Sequence, residues 1–396
     1  MQGKIIRVAT AAAFWLMITL CVFMCVLDIM IPDRQSFFEG EPINKMKIVS
    51  YEECVSTSGG DMGGVKSISV TAKLFGKIPL KTVSCSIYDK SSLYVGGFPF
   101  GVRFFMDGVV VVGFRDVETA NESINPAYDS GLRVNDVIKK CGETTLTDAE
   151  GLTKIIEKSN GSPLKLTVIR DDKEYSITLS AVKSKDDNTY KTGMFIKDSG
   201  AGIGTVTYID PSDNSFGGLG HGICDSVSGK LMKVKKGSLL DVTLNGITKG
   251  VSGTPGELRG SLGVNKLGAV TDNTDCGVFG VYTRCPQEAD IIYPIGLRGQ
   301  VHEGDASVFT TVDGDGRQEY SISISAINRE STGNKCFTVK ITDEKLLQKT
   351  GGIIQGMSGS PIIQDGKIIG AITHVMVGDP TTGYGIFIEN MLNSER

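Results

Sequence analysis

The chain has 396 residues, 40% of them hydrophobic and 22% charged, with 50 glycines and a formal net charge of −4. That length suits two or three domains, and the glycine content tilts an ordinary globular composition toward turn-rich β structure. A near-neutral charge with no long basic block leaves no electrostatic footprint for nucleic acid.

Lys4 and Arg7 precede an apolar run from Val8 to Leu27, and Asp28, Asp33 and Arg34 follow it. A run of this length can cross a hydrocarbon core of about 30 Å. Basic residues on its N-terminal side predict that residues 1–31 form a cytoplasmic stub and transmembrane anchor, with the rest outside the cytoplasm. The run is long for a signal-peptide core, and no small-x-small cleavage pattern follows it. Residues 32–92 read as a linker and small β region. Phe37 to Lys47 is polar and mixed, and Gly59-Gly60-Asp61-Met62-Gly63-Gly64 reads as a flexible joint. Ser67 to Leu74 alternates as a half-buried strand does, and Ile78 to Ile87 reads as a second strand.

From Leu93 to about Val182 the pattern changes. A glycine-rich loop in Tyr94–Phe105 runs into an apolar strand, and Val109–Phe114 reads as another. Pro126-Ala127-Tyr128-Asp129-Ser130-Gly131-Leu132 leads to Val134-Asn135-Asp136-Val137-Ile138. Asp148 to Lys158 has helical spacing, with Leu152, Ile155 and Ile156 on one face. Leu164–Ile169 and Tyr175–Leu179 read as closing strands. The Ala-x-x-Ser-Gly-Leu-x-x-Asn-Asp-Val-Ile segment resembles PDZ domains of the bacterial protease-associated type, which sets a PDZ-like α+β domain at 93–183. That resemblance implies that Phe100, Gly101 and Val102 lie in a loop presenting N–H groups to a peptide C-terminus. The peptide would add to the sheet as a strand.

Lys183-Ser184-Lys185-Asp186-Asp187-Asn188 reads as a charged linker, and 184–396 as one further domain. Short β runs separated by glycine turns fill it: Gly202–Ile209, Lys230–Leu244, Gly263–Val270, Gly277–Thr283, Ile291–Leu297, Ser321–Ile327 and Cys336–Ile341. Such strands predict a barrel or sandwich. Gln364-Asp365-Gly366-Lys367 suits a type I′ hairpin joining Pro361–Ile363 to Ile368–Ile372. Just before it stands Gly356-Met357-Ser358-Gly359-Ser360-Pro361. A serine between glycines on a sharp bend exposes its hydroxyl and converges backbone N–H groups, as a nucleophile beside an oxyanion hole requires. In the α/β-hydrolase elbow a helix follows the serine; Pro361 and the β-branched run behind it forbid one here.

A serine nucleophile needs a base, and the chain has three histidines, His221, His302 and His374. His221 lies among glycines, in Leu219-Gly220-His221-Gly222, where substrate and nucleophile can approach closely. His302 reads as a polar surface-loop residue. Asp225, Asp272, Asp275 and Asp343 all remain open as the acid that holds the imidazole. Asp343 could equally cap a helical turn beginning at Glu344. The nine cysteines are scattered, odd in number and without CxxC spacing, so no zinc site or disulfide framework is read. Cys276 and Cys285 read as separate buried thiols, and no metal or cofactor motif appears.

The Gly-x-Ser-Gly-Ser-Pro hairpin resembles chymotrypsin-type double β-barrel serine proteases. That likeness implies Ser358 as nucleophile, an oxyanion hole from the N–H groups of Gly356 and Ser358, and Thr373 and His374 beside a substrate pocket. The whole arrangement resembles the stage IV sporulation protein B peptidase family. Its marks are the anchor, the PDZ-like domain, Leu219–Gly222, Gly253-Thr254-Pro255-Gly256-Glu257, Asn273–Gly280 and Gln355–Ile362. The resemblance implies a mainly β enzyme with the triad His221, Asp343 and Ser358. It further implies a serine endopeptidase of the forespore intermembrane space. Such an enzyme cuts its own chain and then a regulatory membrane protein, triggering intramembrane processing of a late sigma factor. The competing expectation is an inactive membrane-tethered PDZ scaffold, in which Ser358 is an ordinary turn serine.

Overall fold

The computed structural model describes residues 2–41, 49–54, 65–89, 91–224, 229, 231–232 and 234–395. The Gly59–Gly64 joint and the candidate acid Asp225 lie outside the described residues. Gln2–Met30 form one helix, ended by Ile31-Pro32, where the proline ring disfavours further helical backbone. Its Thr10–Met30 portion has a mean hydropathy of 2.3 and is almost wholly exposed, with Leu27 buried. Among the described residues this is the one helix long and apolar enough to cross a membrane. Arg34–Phe38, Ile78–Tyr88, Val65–Leu74 and Val49–Cys54 then form a small sheet in that order, its first pair parallel. The two expected strands are present, and Arg34–Phe38 and Val49–Cys54 complete the sheet around Val70, Ala72, Val83 and Cys85.

Two closed six-stranded barrels carry the rest of the architecture. The first runs Pro99–Phe114, Val234–Thr248, Glu257–Thr274, Gly277–Tyr282, Ser215–Gly218 and Met194–Ile209, and closes because the last of these pairs back onto the first. Phe100, Val102, Phe104, Val206, Phe216, Leu239, Val270 and Val278 fill it. The second is closed by Gly304–Thr310, Gln318–Ser325, Phe337–Ile341, Asp379–Phe387, Lys367–Met376 and Pro361–Gln364. Closure of both sheets removes the exposed edges that open antiparallel sheets must protect.

The PDZ-like unit shares the long strand. Beyond Gly108, where φ is +119°, Val109–Phe114 leaves the first barrel and pairs with Val137–Ile138. Leu164–Arg170, Lys173–Leu179 and the helix Ala149–Lys158 complete the unit. The helix is capped by Asp148, whose carboxylate accepts from the Gly151 N–H at 2.6 Å, and it buries Leu152 and Ile156 as its spacing predicts. The first barrel therefore takes Pro99–Met106, from inside the stretch expected to be PDZ alone. The expected linker is a tight ribbon instead: Val182–Lys183 pair with Tyr190–Lys191 around Asn188 at φ +60°.

Candidate active site

Ser358 lies on a tight bend leading into the hairpin Pro361–Gln364/Lys367–Met376. Asp365 and Gly366 both have positive φ, at +50° and +70°, as a type I′ turn needs. Three hydrogen bonds tie the bend to the first barrel. The Thr205 N–H donates to Ser358 O at 3.0 Å, the Thr205 hydroxyl to Gly356 O at 2.7 Å, and the Thr207 hydroxyl to Gly359 O at 2.7 Å. Gly359 has φ +93°, and a Cβ there would sit 2.1 Å from Thr205 O. The strand packs against the bend too closely for a side chain. The carbonyls are thus held on one side, while the N–H groups of Gly356 and Ser358 have no backbone acceptor among the described residues.

The segments on either side of the bend explain two of the sequence motifs. Gly256 O accepts from the Gln355 N–H and Gln355 O from the Leu258 N–H, both at 2.8 Å, so Gly253–Glu257 braces the run ahead of Ser358. Asn273 clamps the histidine loop: its amide oxygen accepts from the Ile223 N–H, and its amide donates to the Ile223 and Met232 carbonyls, each at 2.8 Å. Sequence reading singled out the Asn273 segment without seeing this role. Leu219, at φ +66°, is a non-glycine residue in the left-handed region, directly ahead of Gly220 and His221.

The rings of His221 and His374 lie against each other, tilted at 36° with centroids 4.7 Å apart. The Nδ1 of His221 lies 2.9 Å from Gly222 O. A carbonyl only accepts, so Nδ1 carries the proton and Nε2 is the free acceptor. Burial holds the His221 pKa below the ordinary value. Burial, then the neighbouring His221 and Lys335, pushes His374 down to about 4. Among the described residues the buried Nδ1 of His374 has no hydrogen-bond partner. The Ser358 hydroxyl donates to Thr373 O at 2.6 Å, one residue from His374. Serine loop and both imidazoles therefore gather at one place, between the two barrels.

Asp343 stands elsewhere. Its carboxylate caps the helix Glu344–Thr350, accepting from the Leu346 N–H at 3.0 Å and from the Ser321 N–H at 3.5 Å. Val339 pairs with Gly383, and Gly383 with Val375. That register sets Asp343 two strands across and about five residues along from His374, roughly 19 Å at ordinary strand spacings. The capping alternative is the one adopted, because the first turn of the helix needs an acceptor and Asp343 supplies it. Among the described residues no carboxylate hydrogen-bonds His221 or His374. His302 is surface-exposed, with Nε2 2.9 Å from Asp365.

Thr373 is buried, and its hydroxyl donates to Asn334 O and Tyr384 O, so it ties strands together. A cleft of 360 Å³ reaches the bend at Gly356, lined also by Ile203, Glu257, Leu258, Leu262 and Gln355 among others. Thr373 and His374 do not line it. Phe100, Gly101 and Val102 form no loop either. They lie within a strand paired on both edges, with Gly101 opposite Ile203 and Leu240, and Phe100 and Val102 are fully buried. Their N–H and C=O groups belong to the barrel ladder, which corrects the expected peptide-binding loop.

The sequence profile of a family described as SpoIVB peptidase S55 matches residues 188–392. That of the PDZ domain matches residues 100–180. A Lactococcus lactis protein, provisionally described as a zinc metalloprotease, is 26% identical over 172 residues, 41% of this chain. The chain spans only 37% of that relative's length. The PDZ domain of an SdrC-like protein from Listeria monocytogenes is 19% identical, over 23% of this chain and 87% of that domain, with a TM-score of 0.19.

Proposed function

The chain belongs to the SpoIVB peptidase S55 family, a family of serine peptidases, and we propose that Ser358 is its nucleophile and His221 its general base. The observation that supports this assignment is that the Ser358 hydroxyl bonds Thr373 O, next in the chain to His374, whose ring centroid lies 4.7 Å from that of His221. The hydroxyl of Ser358 turns from Thr373 O toward Nε2 of His221 as substrate enters. Nε2 takes the proton, and Oγ attacks the peptide carbonyl. The N–H groups of Gly356 and Ser358 receive the developing oxyanion; one such donor is typically worth about 10²–10³ in rate. Collapse breaks the C–N bond, and the amine leaves with the proton held by His221. Water then attacks the acyl-enzyme with His221 again as base, releasing the acid and restoring Ser358. The cleft beside Gly356 receives substrate residues flanking the cut.

Two residues compete for the third position. Family resemblance supports Asp343, and the approach of the two imidazole rings supports His374. Substrates are proteins: first the chain's own exposed segments, then a regulatory membrane protein reached from the outer face of the membrane. The apolar Thr10–Met30 helix supports anchoring, and the family supports a place in sporulation signalling that ends in intramembrane processing of a sigma factor.

The test is self-shortening of the full chain in detergent, followed on gels. Wild type shortens, and Ser358→Ala and His221→Ala do not. Asp343→Asn and His374→Gln then separate the two third-position assignments by which one slows the reaction without unfolding the protein. Shortening of Ser358→Ala at the wild-type rate overturns the assignment of the nucleophile.

A further inference from the structure

Phe37, Val83 and Cys85 lie in the core of the small N-terminal sheet. Alternation therefore puts Arg34, Ser36 and Phe38, with Ser84, Ser86 and Tyr88 paired to them, on its opposite face. Phe38 and Tyr88 pack into the core of the second barrel. The Tyr88 hydroxyl donates to Asn393 Oδ1 at 3.0 Å, and the Ser36 hydroxyl to Glu389 at 2.9 Å. Beside these contacts Arg34, Ser36, Ser84 and Ser86 line a pocket of 230 Å³, together with Arg298, Thr332, Asn390 and Asn393 from the protease side.

The pocket is rich in donors. None of its lining residues carries a carboxylate. The buried Glu389 is matched by the buried Arg298, which donates to it from Nε and from its backbone N–H. A guanidinium has five N–H groups. Three more of those of Arg298 go to Arg329 O, Ser331 O and Asn390 Oδ1, which leaves one on Nη2 without an acceptor among the described residues. The side chains of Arg34, Ser84 and Thr332 and the Asn393 amide likewise have none there. Asp28 and Asp33, the acids nearest to Arg34 in the chain, both belong to Lys81, whose ammonium stands 3.7 and 2.7 Å from them. Lys81 also donates to Asp28 O at 3.1 Å, and the Ser84 N–H to Asp33 O at 2.9 Å, so the end of the apolar helix is pinned beside the pocket. That helix ends at Met30, and the four residues from there to Arg34 span at most about 14 Å. The headgroup layer outside a hydrocarbon core is about 5–8 Å thick, so a lipid headgroup comes within reach of Arg34.

We propose that this pocket is a phosphate site and that it takes the headgroup phosphate of an anionic phospholipid. Arg34 supplies an unmatched charge and a fork of N–H groups suited to two phosphate oxygens, and the hydroxyl and amide donors serve the remaining lone pairs. A choline headgroup would bring a second cation beside Arg34, so the headgroup accepted is one with net negative charge. The proposal rests on Thr10–Met30 being a membrane anchor and not on Ser358 being the nucleophile.

The experiment uses the full chain in detergent micelles carrying Ser358→Ala, which prevents self-shortening. Phosphatidylglycerol or phosphatidylcholine is added, and lipid retained on the protein is measured by native mass spectrometry. Phosphatidylglycerol should be retained at concentrations where phosphatidylcholine is not. Arg34→Gln, which removes the charged donor, and Ser84→Trp, which fills the pocket, should each cut retention by at least about tenfold. Both positions are exposed, so neither substitution disturbs a core. Equal retention by the parent and Arg34→Gln overturns the proposal, and so does equal retention of the two lipids. Displacement of the lipid by an equal concentration of inorganic phosphate assigns the site to free phosphate and overturns the lipid as its source. Flotation with phosphatidylcholine vesicles tests the anchor separately. A chain that floats and retains no phosphatidylglycerol overturns the pocket alone, and one that does not float overturns the anchor with it.

Discussion

Gly359 and Gly366 offer a matched test of how the serine bend is built. Both have positive φ, +93° and +70°, so an alanine at either position is strained. That strain costs roughly 1–2 kcal/mol. The two differ in their surroundings. A Cβ at Gly366 meets nothing within 4 Å, whereas one at Gly359 meets Thr205 O at 2.1 Å and Leu219 N at 2.4 Å. Relieving the second contact requires the strand and the bend to part by more than about 1 Å, and overpacking of this kind costs a further ~1–3 kcal/mol. Gly359→Ala should therefore destabilise by about 2–5 kcal/mol and Gly366→Ala by about 1–2 kcal/mol, read from urea midpoints. The movement also shifts Ser358, because Thr205 holds its carbonyl. A displacement of about 1 Å costs roughly 100-fold in kcat. Hydrolysis of a protein substrate should fall by that factor in Gly359→Ala and stay near wild type in Gly366→Ala. Equal effects of the two substitutions, on stability or on rate, would refute the claim that close packing of Thr205 positions the nucleophile.

Further outcomes follow from the same geometry. Because burial lowers the His221 pKa, the acid limb of kcat/KM should fall below the ordinary histidine value of about 6.5, and activity should hold steady above it. His374, pushed down to about 4, binds a proton more readily in the unfolded chain. Stability should thus be full above about pH 6.5 and decline as pH falls toward 4; urea midpoints of His374→Gln should decline less. In the PDZ-like unit the fully buried Asp136 accepts two hydrogen bonds from Arg170 at 2.6 Å. Asp136→Asn should cost about 3 kcal/mol in thermal or urea unfolding, since it leaves the guanidinium without its charge partner.

Much of this architecture was legible because it is written locally. The Asp365-Gly366 turn, the alternation of the strands flanking it and the helical face of Leu152 and Ile156 all depend on neighbours a few residues away. The serine bend was legible for the same reason, since two glycines and a proline define it within six residues. What escaped depends on partners far along the chain. Phe100–Val102 alternate with the same period in a barrel strand as beside a PDZ loop, and only pairing with Ile203 and Leu240 decides between them. Met194–Asp198 carries no motif of its own, and only its pairing with Val109–Phe114 gives it a place in the sheet. Asp343 carries the chemistry of both a cap and a triad acid; the cap to Leu346 depends on the helix that follows it, and residue type alone does not separate the two. The approach of His374 to His221 joins two barrels and leaves no local trace.

Ser358 gains its reactivity from the bend that holds it and from His221. Covalent labelling by a fluorophosphonate, located by peptide mass in the full chain, measures that reactivity directly. A single adduct on the Ser358 hydroxyl is predicted, forming at least about 100-fold more slowly in His221→Ala, as loss of a general base requires. No adduct at Ser358, or one that forms equally fast without His221, would contradict it.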